Sequence, residues 1–330
     1  MNETDTNRKT NFKPFFLVLL GLFLVAGLSV TAFLYSQLDK VSSFKINQNP
    51  KSLGISSALA IKIDSLEDPP VNIALFGLDK RPADKFGNSD AIIIVSISKA
   101  TNKIKLSTIM RDTYVKVDSV GMDKINAAYR IGGAQLALKT INQNFNLNIK
   151  DFVSVDFNGM AKVIDALGGI NLDVKKEEVR WVNSYLDENL RGSKITPPYL
   201  VKGGLQSLNG QQAVAYTRVR QVGTDFERTQ RQRNVLSLIL KQLKNAGASE
   251  YPKIVSQALP FVETSLPKMQ LLAMGTNVYM NNIRTIEERR FPLHTQSRGK
   301  IINGSWYLVA DLKATSKSLF DFMFEGSKPE

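Results

Sequence analysis

The sequence predicts an α/β fold in which a mixed central β-sheet is flanked by helices and preceded by a transmembrane helix. Three observations lead there. Short β-branched runs alternate with amphipathic helical patterns from Val71 onward. Two of those runs are separated only by "ATN", which suits a tight antiparallel hairpin inside an otherwise strand-helix order. An apolar run of 21 residues without a charge, Phe15 to Tyr35, stands ahead of them all.

That run reads "FFLVLLGLFLVAGLSVTAFLY" and, at ~1.5 Å rise per residue, spans about 31 Å. Arg8, Lys9 and Lys13 precede it. "VTA" at Val30 to Ala32 would serve as a signal-peptidase site, but the run is longer than a usual signal core, so an uncleaved anchor is expected. Lys40, Lys45 and Lys51 follow, so the charge contrast across the span is weak. A short tail before a first span favours an inside N-terminus and places the rest outside the cytoplasm. The expected organisation is a cytoplasmic tail (1–14), an anchor (15–35), a polar stalk or short helix (36–68) and an extracytoplasmic domain (69–325). "EDPP" at Glu67 to Pro70 marks the last boundary.

"VNIALFGL" (Val71 to Leu78), "AIIIVSIS" (Ala91 to Ser98) and "KIKLSTIM" (Lys103 to Met110) predict three strands. "GGAQLALKTINQNF" and "NGMAKVIDALGGI" predict helices, the second ending at a glycine C-cap. "INLDV" predicts a strand. Trp181 to Pro198 is polar and predicts a loop or lid. "AVAYTRVR" alternates and predicts a strand, and a long helix follows from about Asp225 to Asn245. "WYLVA" predicts a late strand among short helical patterns.

The chain has no cysteine, which excludes disulfides, zinc-thiolate sites and a cysteine nucleophile. Its single histidine, His294, lies in a polar run and predicts a surface residue. The net charge of +13 fits nucleic acid, an anionic membrane or a phosphorylated substrate. An extracytoplasmic location counts against nucleic acid.

Three constellations carry chemistry. "YTRVRQVGTDFERTQRQR" holds five arginines in eighteen residues. On a strand Arg218 and Arg220 face the same way. Thr224 and Glu227 form a capping box that puts Asp225 and Arg228 in the first helical turn. Arg228 and Gln232 continue into the apolar face, whereas Arg233 shares a polar face and reads as solvated, as does one other of the five. Asp225 alone satisfies only part of this charge, so an anion site is expected over a structural ion pair. Second, Asp79 and Asp90 flank the turn between two predicted strands and, if those strands are adjacent, lie at one end of the sheet. Paired carboxylates there suit a hard cation, but taken alone the pair reads as turn-forming aspartates. Third, "STIMRDTYV" sets Arg111 and Asp112 at a strand end.

In order, these motifs resemble the LytR-CpsA-Psr family of anchored enzymes that attach glycopolymers, such as teichoic acid or capsule, to the cell wall. The resemblance runs from about Val71 to residue 245. It implies the family's three-layer αβα domain, a polyprenyl-pyrophosphate-linked glycopolymer as donor and a peptidoglycan hydroxyl as acceptor, in a Gram-positive type of envelope. It implies that Asp79 and Asp90 hold Mg²⁺ or Mn²⁺. Arg81, Arg111, Arg218, Arg220 and Arg228 would grip the pyrophosphate with Gln232 nearby, and Asp225 would orient them. Asn88 and Met110 stand where the family often has arginine and proline. The acceptor oxygen would attack the sugar-proximal phosphorus and polyprenyl phosphate would leave, with Asp79 or Asp90 as the proton acceptor. A pyrophosphatase acting on the same lipid needs the same residues, and a non-enzymatic anchored regulator needs neither metal nor the paired aspartates.

Overall fold

The computed structural model describes Ser36 and residues 42–80, 84–192, 194, 196–247, 250–267, 269–271, 273–274 and 285–324. The expected anchor at 15–35 lies outside these residues. Among the described residues no helix is long and apolar enough to cross a membrane.

The region expected as a stalk or short helix is part of the packed domain from Ser42 onward. It holds strand β1 (Ser42–Ser43) and helix α1 (Ser57–Asp64), capped by the Ser56 hydroxyl. Leu53, Ile55, Leu59 and Ile63 are buried in the main core. The apolar runs then become β2 (Val71–Asp79), β3 (Asn88–Ser98) and β4 (Lys103–Ile109), joined as antiparallel neighbours. A small hairpin, β5 (Tyr114–Val117) and β6 (Gly121–Lys124), leads to helix α2 (Ala127–Phe145), which starts earlier than its apolar pattern. Next come β7 (Asp151–Asp156), α3 (Phe157–Ala166) and β8 (Ile170–Val174).

Two elements differ from the sequence reading. Helix α4 (Lys176–Asn189) occupies much of the expected loop. Glu178 caps it by accepting the Lys175 N–H at 2.9 Å, and Val182 and Leu186, one turn apart, are fully buried. After β9 (Gly204–Leu208), the expected strand "AVAYTRVR" is mostly helix α5 (Gly210–Arg218). An Asn209–Gln212 capping box starts it. Arg218 therefore ends a helix and Arg220 lies beyond it, instead of sharing a strand face.

Helix α6 (Asp225–Asn245) begins at the Thr224–Glu227 capping box the sequence predicts. Then follow α7 (Tyr251–Ala258), β10 (Glu263–Thr264), β11 (Thr285–Phe291), the hairpin β12 (Ser297–Ile302) and β13 (Ser305–Ala310), and α8 (Leu312–Phe324). The strand expected at "WYLVA" falls in β13.

The seven-stranded sheet has the order β1-β10-β7-β2-β3-β4-β11 and is mixed. β2 runs parallel to β7 and β4 parallel to β11, while β2-β3 and β3-β4 are antiparallel. The C-terminal ends of β2, β4, β7 and β11 and the start of β3 thus share one edge. One sheet face packs on α1, α2 and α8 through Phe76, Ile94, Phe152 and Leu138. The other packs Ile93 and Leu106 against Leu236 and Leu240 of α6. A satellite core joins α3 to α6 with β8 and β9.

Candidate active site

Every charged residue of the site sits at that shared edge. Register slips by one between Gly77 and Leu78: Gly77 pairs with Ala91 and Leu78 with Ser89. Asp90 is therefore the extra residue of a β-bulge, a device that re-aims a side chain. Its buried carboxylate meets three guanidiniums. Oδ1 accepts from Arg111 at 2.7 Å, and Oδ2 lies 3.2 Å from Arg220 and 3.8 Å from Arg228. The same three arginines converge from the end of β4, the loop after α5 and the first turn of α6.

Asp225 completes the ring, with Oδ1 2.8 Å from Arg228 and 3.6 Å from Arg111. Asp112 backs Arg111 at 3.3 Å and pairs with Lys124 at 2.7 Å. Burial works against the charged form of Arg111, but Asp90, Asp112 and Asp225 outweigh it and hold the guanidinium above its usual range. Arg228 goes the other way. Burial, then repulsion from Arg111, pull it down to about 10 against the attraction of Asp225 and Asp90. Arg228 stays charged at neutral pH. Its buried Nε and Asp225 Oδ2 have no hydrogen-bond partner among the described residues. Unmet capacity of that kind at a cluster of cations points to a ligand.

Asp90, Arg220 and Arg228 border a polar cavity of about 240 Å³. Asp79, Asp90, Arg218, Arg220, Arg228 and Gln232 line it. Arg218 lies between the rings of Phe157 and Tyr185, 5.1 and 4.9 Å from their centroids, and pairs with Glu188 at 2.7 Å and with Asn189. Arg220 is half exposed. Asp79, Asp90, Arg111, Arg218, Arg220, Arg228, Gln232 and Asp225 are thus brought together, while Arg81 lies outside the described residues. The bulged Asp90 is within β3, not ahead of it.

Two arginines of the run are not in the cavity, and neither is solvated. Arg233 is buried, 3.5 Å from Glu288 of β11 and bonded to Gln230. The helix phase put it on a polar face correctly, but β11 covers that face. Arg231 is also buried. It binds Glu178 at 2.8 Å, the Val219 carbonyl at 3.0 Å and the Val222 carbonyl at 2.6 Å. It closes the loop that carries Arg220. Sequence reasoning missed Glu178, Glu188 and Tyr185, because α4 lay hidden in a segment read as loop. His294 is exposed, as expected.

Asp79 and Asp90 face one cavity, and their oxygen donors fit a hard cation. Among the described residues no three His, Cys, Asp or Glu side chains group as a closed metal site. Two carboxylates leave positions for phosphate oxygens, the pattern Mg²⁺ favours. Asp90's existing arginine contacts would then be shared with that cation. An apolar pocket of about 60 Å³ adjoins the polar cavity through Asp90, Phe157, Thr217 and Gln232.

Residues 30–320 match the LytR_cpsA_psr family model. A polyisoprenyl-teichoic acid–peptidoglycan teichoic acid transferase of Bacillus mycoides is 30% identical over 299 residues, 88% of this chain and 90% of its own. The structure of protein gbs0355 from Streptococcus agalactiae is 26% identical with a TM-score of 0.65, covering 81% of this chain and 90% of that one. A LytR-CPS2A-psr family protein solved with bound octaprenyl pyrophosphate lipid shares the fold at 22% identity and TM-score 0.57, covering 77% of this chain and 90% of that one.

Proposed function

Because the chain belongs to the LytR-CpsA-Psr family, we propose that it is a membrane-anchored phosphotransferase, moving a glycopolymer from a polyprenyl-pyrophosphate donor to a peptidoglycan hydroxyl outside the cytoplasm. The observation that carries this reading is the ring of Arg111, Arg220 and Arg228 around Asp90, opening on a polar cavity beside an apolar pocket. Arginine forks suit pyrophosphate oxygens. The named activity of the Bacillus mycoides relative and the lipid of the octaprenyl pyrophosphate complex support it.

Arg218, Arg220 and Arg228 hold the pyrophosphate, with Arg111 behind them. Gln232 sits where the polar and apolar cavities meet and orients the phosphate next to the lipid. The acceptor oxygen attacks the sugar-proximal phosphorus, the bond to polyprenyl phosphate breaks, and the leaving phosphate takes the electron pair. The fixed guanidiniums stabilise charge on the phosphoryl oxygens as it develops. Asp90 has both oxygens committed to guanidiniums and aims them. Asp79 has no ion-pair partner among the described residues and takes the acceptor proton at its carboxylate. Asp79 and Asp90 would hold Mg²⁺ or Mn²⁺, which when bound adds positive charge against the pyrophosphate. The prenyl chain enters the apolar pocket, whose lining includes Met160 and Leu236. At about 60 Å³ the pocket holds only part of such a chain.

The test is transfer from a synthetic lipid-pyrophosphate glycan to peptidoglycan, with products analysed. A phosphodiester-linked product that is lost in Arg228→Ala and Asp90→Asn supports the reading. Free sugar phosphate as the sole product, even with acceptor in excess, would make the protein a pyrophosphatase.

A further inference from the structure

The sheet edge that holds the arginine cavity also carries a projecting hairpin. β12 and β13 are fixed to the chain just past Arg111. Leu308 donates its N–H to the Asp112 carbonyl at 2.9 Å and bridges Thr113 in parallel register, and Tyr307 packs on Tyr114 with ring centroids 4.8 Å apart. From Tyr114, β5 leads away from the edge towards Asn144, near the far end of α2, which accepts the Lys116 N–H at 3.1 Å. β13 runs parallel to this segment, so the residues ahead of Leu308 extend outward past the strand end that presents Arg111. At the tip, Asn303 and Gly304 have φ of +48° and +77°. Two left-handed residues in succession make a tight hairpin turn whose twist matches that of its strands.

What this hairpin exposes is apolar and basic. Ile301 and Trp306 stand directly opposite each other and are 70% and 42% exposed. A Cβ on Gly299 would stand 2.8 Å from the indole nitrogen, so Trp306 lies across the glycine of the paired strand. Arg298 and Lys300 are exposed on β12, and neither has an ion pair among the described residues. No acid occurs between Phe291 and Ala310, so nothing within the hairpin offsets that charge. An indole and an aliphatic side chain beside cations are groups that settle at the headgroup level of a bilayer, and the cations suit anionic lipid. The chain itself enters the fold at this edge. Ser42 pairs with Glu263, and Glu263 with Ser154 near the end of β7 at the site. β1 runs opposite to β7, so Ser42 is its residue nearest the edge. The apolar run expected as an anchor closes at Tyr35, seven residues earlier. Seven residues span at most about 25 Å. An anchored domain therefore keeps this edge, and the hairpin tip on it, close to the bilayer.

We propose that the β12-β13 hairpin is a membrane-interface contact. Ile301 and Trp306 sit among the headgroups of an anionic bilayer surface, and Arg298 and Lys300 pair with lipid phosphates. This rests on the reading of residues 15–35 as an anchor. The anchor alone limits only the distance of the edge from the bilayer, whereas the hairpin sets which part of the edge is turned towards it. Docked in this way, the arginine cavity lies near the headgroups, where the pyrophosphate of a membrane-bound donor is found.

The test uses the full-length chain reconstituted in phosphatidylcholine vesicles, with or without phosphatidylglycerol, whose acyl chains carry bromine as a fluorescence quencher. The chain has two tryptophans, Trp181 and Trp306, and the apolar run has none. Trp181→Phe leaves Trp306 as the reporter. Should that variant unfold, the difference in emission between wild type and Trp306→Phe gives the same reading. Brominated lipid should quench Trp306 in vesicles that contain phosphatidylglycerol. Two cations at an anionic surface shift the contact equilibrium about thirtyfold. Arg298→Gln/Lys300→Gln should therefore lose most of the quenching, with Tm unchanged because both side chains are exposed. Trp306 left unquenched in vesicles that carry the chain through flotation would overturn the hairpin contact and leave the anchor standing. Equal quenching without phosphatidylglycerol, or in the double variant, overturns the assignment to an anionic surface. Emission that answers to soluble peptidoglycan fragments or to protein density, and not to brominated lipid, gives the face to a glycan or a second copy instead. A chain that does not float with the vesicles sinks the anchor reading and the hairpin contact with it.

Discussion

Asp90 concentrates the electrostatics of the site in two oxygen atoms. It is the shared counter-charge of three guanidiniums that otherwise repel one another. Asp90→Asn should therefore destabilise the ligand-free protein by about 3 kcal/mol or more, as breaking a buried ion pair does. Added pyrophosphate supplies the missing charge, so it should raise the Tm of the variant more than that of wild type. Equal stability without ligand would show that the guanidiniums need no such counter-charge. Arg231 makes the opposite point. It touches no part of the cavity yet fixes the loop bearing Arg220 through the Val219 and Val222 carbonyls. Arg231→Met alone strands Glu178 in the core and should cost about 3–5 kcal/mol. Adding Glu178→Leu should recover much of that stability while pyrophosphate affinity stays reduced, because the loop is no longer held. Recovery of both together would make Arg231 purely structural.

At the scale of elements, the first turn of α6 carries Asp225 and Arg228 into the site. Thr224 caps that turn from its side chain to the Phe226 N–H, and Glu227 returns the bond to the Thr224 N–H at 2.7 Å. Thr224→Ala should cost about 1 kcal/mol in denaturant unfolding. It should also weaken pyrophosphate binding, since a frayed turn misplaces Arg228; intact affinity would show that core packing alone fixes it. The β2-β3 hairpin depends on a glycine in the same way. Gly87 has φ of +79°, and a Cβ there would lie 2.6 Å from the Asp79 carbonyl oxygen. A side chain at 87 displaces the strand end that presents Asp79.

Across the whole molecule, alkaline stability should depend on two buried tyrosines. Tyr129, packed against Phe76 in the main core, and Tyr216, in the satellite core, are each pushed up to about 12 chiefly by burial. The phenolate is disfavoured in the fold but free to form, near 10, in the unfolded chain. Their contribution is complete below pH 10 and disappears as pH rises towards 12. Stability measured between pH 9 and 12 should fall, and Tyr129→Phe with Tyr216→Phe should flatten that fall. An unchanged slope would assign alkaline unfolding to other groups.

The sequence by itself determined what depends on neighbours along the chain. The apolar strands of the central sheet, the capping box that starts α6, the exposed position of His294 and the set of acids and arginines that meet at the sheet edge follow from local pattern and motif order. Tertiary structure decided what depends on partners far away. Residues 213–220 alternate like a strand, yet the Asn209 capping box starts a helix at Gly210 that carries them to Arg218 as α5. Arg233 lies on a polar helix face, but burial is a property of what lies opposite, and β11 arrives there from fifty residues on. The slip that turns Asp90 toward the arginines exists only once β2 and β3 pair. Chain-local forces set helix, strand and charge; only the packed sheet sets which charges share a space.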